Sequence, residues 1–195
     1  MTSKRLAIGA PGLAILALLV VGLVQLGGTE TAAPKRLTLA QMRTRLAGSP
    51  APLAALHAQA NAILSGGMPA LRTRLAALHG RPVVVNKWAS WCGPCRAEFP
   101  VFQHASTNLG RRVAFIGIDS GDSSPAPARA FLYEFPVSYP SYYDPSGQIG
   151  AKITDSTFTP VTVIYGRRGG FYVHQGPYAT VEKLERDVRL YGLSG

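Results

Sequence analysis

The sequence predicts an α/β domain with a mixed sheet, and three features indicate it. Four short runs rich in β-branched and aromatic residues are typical of strands. The segments between these runs carry either the apolar spacing of helices or turn residues. Strands and helices alternate before two final strands and a last helix, which is the order of an α/β domain. The four runs are PVVVNKWA (82–89), RVAFIGID (112–119), PVTVIY (160–165) and GFYVHQ (170–175).

An uncharged apolar run, Leu6–Leu26, follows Lys4 and Arg5 near the start of the sequence. A helix of this length spans roughly 30 Å, which is the thickness of the hydrocarbon core of a bilayer. A cleaved signal peptide is the alternative, but its apolar region usually has only about 7–15 residues, and the cleavage site here would be a poor one. We therefore predict an uncleaved, single-pass membrane anchor within residues 1–28.

The charges beside this run leave the orientation of the anchor open. Lys4 and Arg5 favour an N-terminus inside the cell and a domain outside it. Four further cations lie between residues 35 and 45, close to the far end of the run, so a count of positive charges does not decide the matter.

Two segments are predicted between the anchor and the domain at 80–195. Residues 29–36, rich in small residues and proline, are interpreted as a linker. Residues 37–79 carry leucines at three- and four-residue spacing, which predicts a helical extension of three short helices, the first capped by Thr38. The three helices are predicted in LTLAQMRTRLAG (37–48), LAALHAQANAIL (53–64) and LRTRLAALHG (71–80).

The distribution of charge argues against a nucleic-acid partner. The chain has 195 residues and a formal net charge of +10. Its cations are scattered singly or in pairs, without a long basic run and without basic residues interleaved with aromatics. We expect a solvated basic surface, which would be compatible with anionic lipid headgroups.

The chain has two cysteines, Cys92 and Cys95, which follow the first strand-like run and open the predicted helix CRAEFPVFQHASTNL (95–109). A helix N-terminus presents free N–H groups and the positive end of the helix dipole, and both favour a thiolate over a thiol. We therefore expect Cys92 to be the exposed, activated sulfur and Cys95 to be more sheltered.

Three alternatives explain this cysteine pair less well. A purely structural disulfide across so short a loop would give little entropic stabilisation. A zinc site would need two more ligands, and the four histidines show no ligand spacing, so no metal is predicted. An inert buried pair does not explain why both thiols lie at a strand-to-helix junction. The pattern therefore indicates catalytic redox chemistry.

The segment WASWCGPCRAEFP (88–100) resembles the active-site segment of the thioredoxin superfamily. Together with the preceding VVVN, it resembles in particular that of the membrane-anchored TlpA/ResA-like thiol-disulfide oxidoreductases. The resemblance runs from about Leu75 to the C-terminus and implies a thioredoxin-like fold. It also implies a redox-active disulfide between Cys92 and Cys95, no further cofactor, and an active-site loop that includes Trp91, Gly93 and Pro94.

The same resemblance assigns roles to residues outside the cysteine pair. Thr159-Pro160 lies where the superfamily places a cis-proline that receives an extended client segment. Asn86 stands where cytosolic thioredoxins have a buried aspartate, and an amide cannot accept a proton at neutral pH. Glu98 matches the glutamate that ResA-like proteins carry three residues after the second cysteine, which makes it the expected proton acceptor.

Two assignments stay open at the level of the sequence. Glu98 could instead lie on the surface and pair with Arg111 or with water. Lys87 replaces what is normally a large apolar residue of this strand in the family, and it could either snorkel to solvent or pair with an acid such as Glu98.

The function that the resemblance implies is thiol-disulfide exchange on the extracytoplasmic side of a prokaryotic cell membrane. We expect a reductase of protein disulfides that takes electrons from a membrane-embedded partner, with apocytochrome c as an expected client. An oxidase that introduces disulfides into secreted proteins is the first alternative, and a redox-inert tethered binding module is the second.

Overall fold

A six-stranded sheet forms the centre of the computed structural model, which describes residues 34–194. In chain order the elements are α1 (Leu39–Leu46), α2 (Ala51–His57), β1 (Ile63–Leu64), α3 (Gly67–Ala77), β2 (Val83–Trp88), α4 (Gly93–Leu109), β3 (Ala114–Ser120), α5 (Pro125–Glu134), β4 (Ser141–Asp144), α6 (Gln148–Thr154), β5 (Val161–Tyr165), β6 (Phe171–Gln175), α7 (Val181–Asp187) and a π-helical turn (Val188–Leu193). The strands lie in the order β1-β4-β3-β2-β5-β6. Helices α4, α5 and α7 pack against one face of the sheet, and helices α3 and α6 pack against the other.

The sheet is mixed, as predicted. Strand β2 lies inside it, pairing in parallel with β3 and antiparallel with β5. The β1-β4 and β3-β4 pairs are also parallel, whereas β5 and β6 form an antiparallel hairpin. All six residues of β2 are buried because helices cover both of its faces. This central strand leads directly into the cysteine pair.

All four strands predicted from the sequence are present, but two further strands were not predicted. Strand β4 has the sequence SYYD, which is short and half polar, and its position follows from pairing with β3. Residues Ile63 and Leu64 were predicted to be helical, which is wrong, because they pair with Ser141 and Tyr142. Helix α2 already ends at His57, and Asn61, which has a positive φ of 66°, lies in the turn between this helix and β1.

The three helices predicted in residues 37–79 are confirmed as α1, α2 and α3. The first is capped as expected, since the Thr38 hydroxyl accepts a hydrogen bond from the Gln41 N–H. Leucines of α2 and α3 enter the core on the β2 face opposite α4. The predicted division at residue 80 therefore separates segments that share one sheet and one core.

Among residues 34–194, no helix is long and apolar enough to cross a membrane. The predicted anchor, Leu6–Leu26, lies outside the described residues, as does most of the predicted linker.

An aromatic cluster fixes helix α4 against the end of β2. The Trp88 ring centroid lies 5.1 Å from that of Phe99 and 4.9 Å from that of Phe131. The Trp88 Nε1–H donates to Ser141 Oγ at 3.1 Å, so this large side chain is both packed and hydrogen-bonded. The cluster holds the strand-to-helix junction in which the cysteines lie.

Candidate active site

The cysteine pair occupies the start of α4. Cys92 is the N-cap residue, and Gly93 and Pro94 form the first turn of the helix. Cys92 and Cys95 are joined by a disulfide, with their Cα atoms 5.3 Å apart. The Cys95 N–H also points at Cys92 Sγ at 3.1 Å. A thiolate at Cys92 would therefore lie against a backbone donor and the positive end of the helix dipole.

The burial of the two sulfurs follows the predicted order but not the predicted degree. Cys95 is fully buried, whereas Cys92 keeps 4% of its surface exposed. The expectation of an exposed Cys92 was therefore too strong. The reason is that the disulfide-bonded pair belongs to the apolar core on the α4 side of the sheet.

The loop before the cysteines is tied to the loop after β3. Asp122 accepts two hydrogen bonds from Ser90, one from its N–H at 3.1 Å and one from its hydroxyl at 2.7 Å. The Trp91 Nε1–H reaches the Gly121 carbonyl at 3.4 Å, while 67% of the Trp91 surface stays exposed. Sequence reasoning missed Asp122, because nothing local to it indicates a partner 32 residues away.

Glu98 lies in the interior, not on the surface. Its Oε1 accepts a hydrogen bond from Asn86 Nδ2 at 2.8 Å, and its Oε2 accepts one from the Tyr178 N–H at 3.1 Å. The alternative of a surface glutamate paired with Arg111 is wrong, since Glu98 is fully buried and Arg111 contacts the Gly48 carbonyl. Asn86 and Glu98 therefore form a buried polar pair between β2 and α4.

Burial raises the pKa of Glu98 to about 8, although the hydrogen bonds from Asn86 and Tyr178 oppose that shift. A carboxyl group with a pKa close to neutral can both accept and release a proton under physiological conditions. Cys95 and Glu98 are three residues apart on α4, so they are neighbours on its surface. The arrangement is suited to proton exchange with the Cys95 sulfur.

Lys87 points to the opposite face of the sheet from Asn86, because successive side chains alternate along a strand. Its Nζ donates to the Ser156 carbonyl at 2.7 Å, and only 4% of the residue is exposed. Lys87 therefore does not snorkel to solvent, and the acid near it is Asp144 and not Glu98. Burial lowers the pKa of Lys87, and the nearby Asp144 carboxylate opposes this shift.

The Thr159-Pro160 peptide is cis, as the resemblance implies. Strand β5 begins at Val161, which pairs with Lys87 in the antiparallel register. Pro160 therefore lies at the end of the sheet where β2 leads into Cys92, which is the place expected for a client-binding proline. The preceding Phe158 is 71% exposed and was not identified from the sequence.

A second buried acid lies at this end of the sheet. Asp119, the partner of Trp88 in the β2-β3 register, is fully buried. Burial raises its pKa to about 8, and the neighbouring Asp122 and Asp144 carboxylates add to the effect. Within residues 34–194, no group of three or more His, Cys, Asp and Glu side chains is placed to hold a metal ion.

The family model described as Redoxin matches residues 47–164, a span that contains the cysteine pair, Glu98 and Pro160. The chain belongs to the Redoxin family. The match begins before the predicted domain boundary at residue 80, in agreement with the shared sheet and core.

Curated relatives of this Redoxin chain are thioredoxin-like or thiol-disulfide exchange proteins by name. Thioredoxin-like protein YneN of Bacillus subtilis is 29% identical over 114 residues, which are 57% of this chain and 64% of the relative. Thiol-disulfide oxidoreductase ResA of Oceanobacillus iheyensis is 30% identical over 76 residues, which are 39% of this chain and 40% of the relative. The thiol:disulfide interchange protein DsbE homolog of Paracoccus denitrificans is 35% identical over 108 residues, which are 53% of this chain and 55% of the relative. The chain thus spans less than two thirds of the length of each of these relatives.

Solved structures confirm the thioredoxin-like fold. A putative thiol:disulfide interchange protein DsbE from Chlorobium tepidum superposes with a TM-score of 0.54 at 27% identity, covering 60% of this chain and 83% of that one. A DsbF homologue from Corynebacterium diphtheriae gives a TM-score of 0.54 at 28% identity, covering 60% of this chain and 75% of that one.

Proposed function

We propose that this Redoxin-family protein is a thiol-disulfide oxidoreductase that reduces disulfides of client proteins. The observation that carries the proposal is the arrangement at the start of α4. A cysteine pair lies at the helix N-terminus, and a buried carboxyl with a raised pKa lies one turn further along the same helix. The names of the relatives agree with this chemistry.

The reduction proceeds in two exchanges. The Cys92 thiolate attacks one sulfur of the client disulfide, which forms a mixed disulfide and releases the other client sulfur as a thiolate that takes up a proton. Cys95 then transfers its proton to Glu98, and the resulting thiolate attacks Cys92 Sγ. This step breaks the mixed disulfide, forms the Cys92-Cys95 disulfide and releases the second client sulfur as a thiolate, which takes up a proton as Glu98 loses one, so two electrons have passed to the client.

The sequence between the cysteines supports the reductive direction. Gly93 and Pro94 make the pair Cys-Gly-Pro-Cys, as in thioredoxin, whose potential of about −270 mV is reducing. In a reductase outside the cytoplasm, the Cys92-Cys95 disulfide has to be reduced again after each turnover, which requires a dithiol donor held in the membrane. The oxidase alternative would instead require a potential close to that of DsbA, about −120 mV.

The location and the client extend the same proposal. The apolar length of Leu6–Leu26 supports a single-pass anchor, and the resemblance to TlpA/ResA-like proteins supports an extracytoplasmic domain. That resemblance also supports apocytochrome c as a client. Protease added to intact spheroplasts should digest the domain, and full protection would refute the location.

Insulin reduction tests the activity itself. With dithiothreitol as electron source, the protein should accelerate the precipitation of insulin chains, and Cys92→Ser should abolish the acceleration while keeping the thermal midpoint of the wild type. If the wild-type protein gives no acceleration and no reaction with dithiothreitol, the proposal fails and the redox-inert binding module takes its place.

A further inference from the structure

Strand β2 carries two buried polar side chains in succession, Asn86 and Lys87, which point to opposite faces of the sheet. Asn86 has a role in the proposed mechanism, because it holds Glu98. Lys87 has none there, although its burial is costly. A buried ammonium group needs strong partners, and the desolvation of buried charges can cost more free energy than their mutual attraction returns, so a buried charge is weak evidence of a stabilising role. The fold alone therefore does not require a lysine at this position.

The surroundings of Lys87 are shaped to accommodate its side chain. Gly150 lies against it on α6, and a Cβ atom added there would lie 2.8 Å from Lys87 Cε. The acid that faces it, Asp144, also accepts hydrogen bonds from the Ile149 and Gly150 N–H groups. The ammonium group thus donates to the Ser156 carbonyl and lies near the Asp144 carboxylate, while Gly150 leaves room for the carbon stem of the side chain.

Ser156 organises the loop that leads to the cis-proline. Its N–H donates to Thr154 Oγ1 at 3.2 Å, and its hydroxyl accepts from the Phe158 N–H at 3.2 Å. Thr159 and Pro160 follow directly. The Lys87 ammonium therefore fixes the residue whose own hydrogen bonds set the path of the chain towards Pro160.

Phe158 is the large apolar side chain that this loop exposes, and 71% of its surface is free. Trp91 is similarly exposed in the loop before the cysteines. Both loops lie at the end of the sheet that carries Cys92, and exposed aromatic side chains are favoured contacts in protein recognition. An extended client segment with an apolar side chain near its cysteine fits such a surface.

We propose that Lys87 is a positioning residue for the client-binding loop, residues 155–159, and that Phe158 is the contact by which this loop holds an apolar side chain of the client. The inference rests on the proposed function. It goes beyond that function by naming a buried strand residue and an exposed loop residue that act together in client binding.

The kinetic test replaces Lys87 by methionine, which keeps an apolar stem of similar length. The KM for insulin should rise by about tenfold, while kcat stays within about twofold, because binding is lost and the sulfur chemistry is not. Lys152→Met, at an exposed lysine of α6, is the matched control and should leave both constants unchanged. An unchanged KM in Lys87→Met would overturn the proposal.

Two further variants separate positioning from general damage. Gly150→Ala keeps the lysine, but the added Cβ would lie 2.8 Å from both Lys87 Cε and Ser120 Oγ, so both side chains have to move and KM should rise in the same way. Phe158→Ala should also raise KM, and the double variant Lys87→Met/Phe158→Ala should show little more than either single change because both act through one loop. Fully additive effects would contradict a shared loop.

Amide hydrogen exchange tests the positioning independently of activity. The N–H groups of Ser156 and Phe158 are hydrogen-bonded within the loop, and they should exchange about tenfold faster in Lys87→Met than in the wild type. Unchanged exchange at both groups would refute the positioning role. If wild-type protein fails to reduce insulin, the proposed function fails, yet this exchange comparison still decides whether Lys87 orders the loop.

Discussion

The Asn86 amide donates to the Glu98 carboxylate across 2.8 Å, and this contact joins β2 to α4 one turn from Cys95. Asn86 Oδ1 is buried and has no hydrogen-bond partner among the described residues. An amide can donate through its nitrogen to a carboxylate or, after a flip, accept through its oxygen from a carboxylic acid. Asn86 can therefore form a hydrogen bond with Glu98 whether Glu98 is ionised or protonated. An aspartate at position 86 would instead place a second negative charge beside Glu98.

Replacing Glu98 by glutamine should slow the reduction of protein disulfides. Glutamine keeps the shape and the hydrogen bond to the Tyr178 N–H but cannot take the Cys95 proton. General acid-base groups contribute factors of about 10²–10⁴, and a loss of at least about tenfold in turnover is expected. Insulin reduction between pH 6 and pH 8 measures it, and equal turnover across that range would remove Glu98 from the mechanism.

The same variant should change how stability depends on pH. The pKa of Glu98 is about 8 in the folded protein and has an ordinary value of 4.5. Between these two values the folded state keeps a proton that the unfolded chain releases, so the free energy of unfolding falls by roughly 1.4 kcal/mol per pH unit from this group.

Glu98→Gln lacks that proton, so its free energy of unfolding should fall less than that of the wild type between pH 5 and pH 8. Asp119 also has a raised pKa, but it is present in both proteins and cancels in the comparison. Urea denaturation at several pH values gives the difference. Parallel pH profiles for the two proteins would show that Glu98 titrates normally.

The contacts of Asn86, Glu98 and Lys87 show how far the sequence could be interpreted. The α/β class and the redox-active cysteine pair followed from the residue pattern, while the thioredoxin-like fold and the candidate acid followed from the resemblance of one short segment to a known family. The burial of Glu98 did not follow, since it depends on Tyr178, which is 80 residues away in the chain. The hydrogen-bond partner of Lys87 could not be predicted either, because it is a backbone carbonyl, which every residue has.

The two unpredicted strands have a similar cause. Strand β1 has only two residues, and its position depends on the pairing with β4 and on the turn at Asn61. The Asn61 side chain holds two backbone groups, the Leu132 carbonyl and the Val137 N–H, both at 2.8 Å. Such long-range contacts override the helical spacing of the leucines around them.

Cys92 should react as a thiolate at neutral pH. The helix N-terminus and the Cys95 N–H both stabilise negative charge on its sulfur. In the Cys95→Ser variant, the rate of alkylation by iodoacetamide should reach half of its maximum below about pH 8.5, which is the value for a free thiol. A midpoint at or above that value would show that the helix start does not activate Cys92.

Asp122 should stabilise the loop that carries the cysteines. Asp122→Ala removes the acceptor of both Ser90 hydrogen bonds, and the expected loss in the free energy of unfolding is about 1–3 kcal/mol. Glu182→Ala, at an exposed acid of α7, is the control for the change of charge. Equal urea midpoints for the two variants would indicate that the Ser90-Asp122 contact contributes little.

Cys95→Ala should trap clients on Cys92. Without the second thiol, the mixed disulfide cannot be resolved from within the protein, so it persists until an external thiol attacks it. Cys92→Ala should trap little, because Cys95 is fully buried. Non-reducing gels of cell extracts would show the adducts. A cytochrome apoprotein among them would support the maturation role, whereas equal trapping by both variants would contradict the assignment of Cys92 as the attacking sulfur.

The reduction potential of the Cys92-Cys95 pair decides whether the protein is a reductase or an oxidase of its clients. Equilibration of the purified domain with glutathione or dithiothreitol buffers, followed by quantification of free thiols, gives the value. We predict a potential near that of thioredoxin, about −270 mV, because the pair has the same Gly-Pro sequence between its cysteines. A potential near that of DsbA, about −120 mV, would contradict it and identify the pair as an oxidant of client thiols.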